Sequence, residues 1–147
     1  MQRSRDAAVA VCLLLCGCAS SPVAEPTSPF VAGAPSLCQV MQDTPLGEGS
    51  VARVSATYQT DKSHYSHLID MGCHKGFDVE NREPLTEPSV KEFFDTGDRI
   101  CADAGAFYVC PISAAIDADI RVVRSSDGLL GAELLKVHGF QYEPRKR

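Results

Sequence analysis

Residues 112–123 constrain the fold more than any other stretch of this chain. Ile112, Ala114, Ile116, Ala118, Ile120 and Val122 alternate with Ser113, Ala115, Asp117, Asp119 and Arg121. A two-residue period sustained this long describes a strand with one apolar face and one polar face. Ile112, Ile116 and Ile120 also sit at helical spacing, so a helix is the competing reading. The β-branched content and Pro111 at the first position favour the strand. A strand of this length suits a closed, strongly coiled barrel, which leaves few exposed edges.

The neighbouring segments supply partners for it. In 51–60, Ala52, Val54, Ala56 and Tyr58 alternate with Arg53, Ser55 and Thr57, which predicts a half-buried strand. Asp61-Lys62-Ser63 reads as a polar hairpin turn. A second strand is expected from His64 to Met71, with Tyr65, Leu68 and Ile69 as packing residues, and a short third over Phe77–Glu80. Ser89 is a credible N-cap for a short helix through Phe94, stopped by Gly97, with Glu87 and Glu92 complementing its dipole. Asp127-Gly128 makes a turn, and Leu129–Phe140 reads as the last strand, with Gly131-Ala132 as a possible irregularity. Ser36 could cap a further short helix over Leu37, Val40 and Met41 that ends before Pro45.

The expected fold is therefore mainly β: three strands, a short helix, two strands, and a short N-terminal helix. In element order over residues 51–140 it resembles the OB-fold, a five-stranded barrel that in many members carries a helix between strands 3 and 4. It is also similar to small OB-type lipoprotein and periplasmic domains of Gram-negative bacteria, where a strand pair leads to a cysteine, as in Leu68-Ile69-Asp70-Met71-Gly72-Cys73.

The N-terminus carries a different message. Arg3 and Arg5 form a positive region, Ala7–Leu15 is apolar and uncharged, and small residues flank Cys18. This is the layout of a secretory signal, too short to span a bilayer as a helix. Leu15-Cys16-Gly17-Cys18 resembles the lipobox of bacterial lipoproteins. The resemblance implies cleavage of residues 1–17 and a diacylglyceryl group on Cys18. Two or three acyl chains hold a protein firmly to a membrane. Ala19 and Ser20 follow Cys18, with no Asp to retain the protein at the inner membrane, so the resemblance implies a Gram-negative outer-membrane anchor with the domain facing the periplasm. A conventional signal cut elsewhere would leave Cys18 a bystander. Residues 18–36, rich in Ser, Pro, Ala and Thr, are expected to be a lipidated, disordered tether, and residues 37–147 the folded domain with a short basic tail.

Of seven cysteines, Cys12 and Cys16 leave with the signal and Cys18 takes the lipid. Cys38, Cys73, Cys101 and Cys110 remain, an even set that reads as two disulfides in an exported protein. Three connectivities are possible. Cys101 and Cys110 are the natural local pair, leaving Cys38 with Cys73.

The function classes are bounded by charge and by missing motifs. There are 14 Lys and Arg against 19 Asp and Glu, and no Trp. An acidic chain repels nucleic-acid phosphates. Arg145-Lys146-Arg147 is the one basic cluster and reads as a solvated tail. No phosphate loop, nucleophile elbow, repeat or cofactor motif is present, so no cofactor is expected. His64, His67, Cys73 and His74 concentrate reactive side chains that could ligate a metal. On a strand, however, His64 and His67 point to opposite faces. Asp117 and Asp119 share a strand face and read as solvated charge rather than a glycosidase pair. The acidic residues from Asp78 to Asp103 lack an EF-hand pattern and read as a solvated face around the helix. Two functions follow. One is a non-catalytic module binding an envelope protein or glycan. The other is an envelope enzyme or metal handler using His64, His67 and His74.

Overall fold

The computed structural model describes residues 33–106 and 108–143. Helix α1 (Leu37–Asp43) comes first, then strands β1 (Val51–Thr60), β2 (Ser66–Asp70) and β3 (Lys75–Val79). Helix α2 (Pro88–Asp103) follows, and β4 (Ile112–Arg124) and β5 (Leu130–Tyr142) complete the chain. The five strands close into a barrel in the order β1-β2-β3-β5-β4. All neighbours are antiparallel except β3 and β5, which run parallel and pair only through Asp78↔Gly131 and Val79↔Ala132. Among the described residues no helix is long and apolar enough to cross a membrane.

The strand reading of residues 112–123 is the correct one, and its apolar face is the core. Ala114, Ile116, Ala118 and Ile120 are wholly buried, together with Val54 of β1 and Leu68 of β2. The polar face is less uniform. Asp117 is also buried, and Arg53 of β1 reaches it with two charge-assisted hydrogen bonds of 2.9 Å. The expectation that Asp117 is solvated charge is therefore wrong. The pairing Ser55↔Asp117 leaves Arg53 on the same face two residues away, and the extra residues at the β4–β5 register shifts, His138 and Leu135, belong to β5. Asp117 keeps the side of the strand that alternation gives it, and the Arg53 side chain lies across its carboxylate.

Helix α2 differs from the expected short helix at both ends. Glu87, not Ser89, is its N-cap, accepting from Ser89 N at 2.6 Å and Val90 N at 3.0 Å, with Pro88 in the first turn. Proline suits that position because its missing N–H would have no partner there. Ser89 Oγ instead donates to Glu87 and accepts from Val137 N at 2.9 Å, so it ties the helix start to β5. Gly97 does not stop the helix. It is buried, and a Cβ there would lie 2.6 Å from Tyr142 Oη. Packing against β5 repays the helix for the backbone freedom that glycine loses. Phe93 fills the centre of this contact, with Tyr58, Phe94, Phe140 and Tyr142 rings at 5.0–5.4 Å, Phe94 from the same helix.

The other boundaries shift by local chemistry. The second strand begins at Ser66, because Asp61 draws His64 and Tyr65 into a turn. The third spans Lys75–Val79 rather than Phe77–Glu80. The last runs on to Tyr142, with Gly131-Ala132 inside it as the closure to β3.

At the N-terminal side, Ser36 caps α1 by accepting from Gln39 N at 3.2 Å. Pro35 O accepts from Ser55 N at 2.8 Å, and Ser36 forms a parallel bridge with Ser55. Residues 35 and 36 thus belong to the folded unit, not to the tether assigned to 18–36. Backbone groups at the side of β1 provide the partners that fix them. The signal segment, Cys18, residues 19–32 and Arg145-Lys146-Arg147 lie outside the described residues.

Candidate binding groove on the β2–β3 face

The four remaining cysteines form two disulfides. Cys38 joins Cys73, with Cα atoms 6.0 Å apart, and Cys101 joins Cys110 at 5.8 Å. The first fastens α1 to the β2–β3 turn. The second closes the segment after α2, where Cys110 N donates to Asp61 O at 2.8 Å.

The three candidate histidines do not form one site. His64 lies in the β1–β2 turn, its Nδ1 2.7 Å from Asp61 Oδ2, with a mostly exposed ring. His67 is on β2 and pairs with Asp78 across the β2–β3 ladder. His74 occupies the β2–β3 turn at a φ of 55°. Among the described residues the only group of three potential ligands within 4.8 Å of one another is Cys38, Asp70 and Cys73, and its two thiols are joined to each other. Among the described residues, no group of three potential metal ligands unites His64, His67 and His74. Turn chemistry decides this: Asp61 accepts from Ser63 N, His64 N and Tyr65 N, and so turns His64 away from the strand that carries His67.

What the fold does build is a shallow groove of about 340 Å³. His67, Leu68 and Ile69 of β2 and Gly76, Phe77 and Asp78 of β3 form its floor, and Leu129 and Leu130 form its wall. Leu129 is 63% exposed and Leu130 38%. Tyr65, expected to pack inside, is 41% exposed and stacks on His67 with centroids 5.1 Å apart. The aromatic pair, the aliphatic wall and the Asp78 carboxylate together offer a surface that can take both apolar and polar ligand groups.

Sequence reasoning missed the leucines of the wall. A signal was present. Leu129 and Leu130 are adjacent at a strand start, and adjacent strand residues face opposite ways, so both cannot enter one core. The β4–β5 turn places them: Asp127 Oδ1 accepts from Leu129 N at 3.0 Å, and Ser125 N donates to Leu129 O at 2.9 Å.

Four carboxyls that organise these turns and caps are held below the usual range. Asp61 is lowered first by the His64 N–H, then by the His64 ring and the Ser63 and Tyr65 N–H groups. Asp70 is lowered by Cys38 N–H and Gly72 N–H, Glu87 by the Ser89 hydroxyl and Val90 N–H, and Asp127 by the Ser125 hydroxyl and Leu129 N–H. In the unfolded chain these groups titrate near pH 4. A carboxyl with a depressed folded pKa adds stability above its unfolded pKa and loses it as pH falls through the folded one. Stability against urea is therefore expected to be flat from pH 7 to about 5 and to fall steadily below about 4. A midpoint at pH 2.5 equal to that at pH 7 would refute this.

Comparison with protein-family models, curated proteins and solved structures finds no match for this chain.

Proposed function

We propose that this protein is a lipid-anchored envelope lipoprotein whose barrel is a non-catalytic binding module. The observation that carries the binding half is the groove between β2–β3 and the Leu129-Leu130 wall. OB barrels bind ligands across the face of strands 2 and 3 together with the 1–2 and 4–5 loops. The closed order β1-β2-β3-β5-β4, with α2 after β3, supports an OB-like reading, and Tyr65 and Leu129 sit in the two corresponding loops. The partner class is an envelope protein or glycan. Net acidity argues against nucleic acid.

The anchor half rests on Leu15-Cys16-Gly17-Cys18. Cells given an alkyne palmitate analogue are expected to label the wild-type protein and not the Cys18→Ser variant. An unlabelled wild type would end this half. For the binding half, a photo-crosslinking side chain at Leu129 in intact cells is expected to capture a discrete species that the same probe at exposed Glu92 does not. Identical patterns from both positions would end it.

A further inference from the structure

The groove lies where β3 lacks a neighbour. β3 pairs with β2 along Lys75–Asp78, but with β5 only at Asp78 and Val79. On the β5 side, Lys75, Gly76 and Phe77 have no pairing partner among the described residues, because the chain before Leu130 turns away into the β4–β5 loop. Backbone donors and acceptors at an unpaired strand edge are a template for another strand. Phe77 is buried, whereas Gly76 and Asp78 are exposed, so the two faces of such an added strand meet different surroundings.

We propose that the groove takes an extended peptide that adds as a strand to the Lys75–Phe77 edge. Its central inward residue is apolar and its outward residues are cationic. This rests on the binding-module reading and names the ligand class for the same site. The inward side chain would lie over Phe77 against Leu130. The outward ones would face carboxylates: Asp78 in the groove, Asp127 behind Leu129, and Glu80, whose Cγ would be 2.6 Å from a Cβ on Gly131. Nearby cations are fewer. Arg124 is already bound to Glu48 and to the Gly128 carbonyl, which leaves Lys75 and the His67 ring that pairs with Asp78. Opposite charge on a peptide gains from that imbalance, and like charge loses.

The test titrates the full chain in detergent micelles with the blocked peptide Lys-Thr-Lys-Leu-Lys-Thr-Lys. Binding is read by calorimetry, and amide exchange is read over residues 75–77. The expected result is saturable binding with slowed exchange at those amides. Binding should weaken about tenfold with Leu129→Lys and about three- to tenfold with Asp78→Lys. It should stay unchanged with Glu92→Lys, which makes the same change in net charge as Asp78→Lys. Alternate backbone N-methylation of the peptide should abolish binding. Equal binding of the Glu-for-Lys peptide or of the N-methylated peptide would overturn the proposal. So would no peptide binding while a soluble glycan fragment perturbs Leu129, a result that leaves the binding-module reading standing. Uniform crosslinking from Leu129 and Glu92 in cells would instead remove that reading itself.

Discussion

Phe93→Ala is expected to cost about 3–5 kcal/mol of folding stability, the usual range for deleting a fully buried aromatic. Phe93 is wholly buried and is the residue through which α2 grips the barrel. It meets Tyr58 and Phe140 edge-on and stacks on Tyr142 with planes 14° apart. Alanine would forfeit the transfer free energy and leave a void that Gly97, directly beside Tyr142, has no side chain to fill. The Phe93 carbonyl also accepts from Tyr142 Oη at 3.1 Å, and burial pushes that phenol well above its ordinary pKa. Loosening the helix therefore also exposes a hydroxyl that now has its partner. A urea titration followed by circular dichroism measures the loss. A cost below about 1 kcal/mol would mean that α2 is not an essential wall of the core.

The second large effect concerns the disulfides, and it is a comparison. Cys38–Cys73 closes a chain separation of 35 residues and Cys101–Cys110 one of 9. Loop-closure entropy makes the longer crosslink worth about 4 kcal/mol and the shorter about 2.5 kcal/mol. Cys38→Ser with Cys73→Ser is thus expected to lower the melting temperature by about 15 °C or more, and Cys101→Ser with Cys110→Ser by clearly less. Scanning calorimetry of the two double variants decides. The reverse order would mean that the short link's hold on the Asp61 turn outweighs the entropy of the long one.

Much of the barrel was legible in the sequence, because its core strands obey one simple period. Val54 and Tyr58 on β1, and Ala114 to Val122 on β4, are buried as alternation requires. The failures share a cause. Gly97, Ser89 and Asp117 each followed local propensity in the sequence reading, and each is decided by a residue far away in the chain. Tyr142 occupies the space Gly97 leaves, and Val137 N claims Ser89 Oγ. Arg53 lies 64 residues from the carboxylate it pairs with. Asp61 reads as a turn former in the sequence, but its hold on both His64 and Tyr65 extends the turn further than that reading gives it. The groove was illegible for the same reason. It exists because β5 leaves β3 after two residue pairs, and register between distant strands is not written in either strand alone.

The way the chain enters the fold has a mechanical consequence. Pro35 and Ser36 are bonded to Ser55 on β1, and two residues later Cys38 is covalently joined to the β2–β3 turn at Cys73. A pull on the N-terminal segment would first load the Ser55 hydrogen bond. It would then pass through sulfur to the hairpin that floors the groove, bypassing the rest of α1. Tension at that end would be borne by β1 and by the β2–β3 hairpin together. The hairpin, meanwhile, leans on β5 through only two residue pairs. The groove is thus the part of the barrel in which a force on the leading segment would be felt as a change of shape.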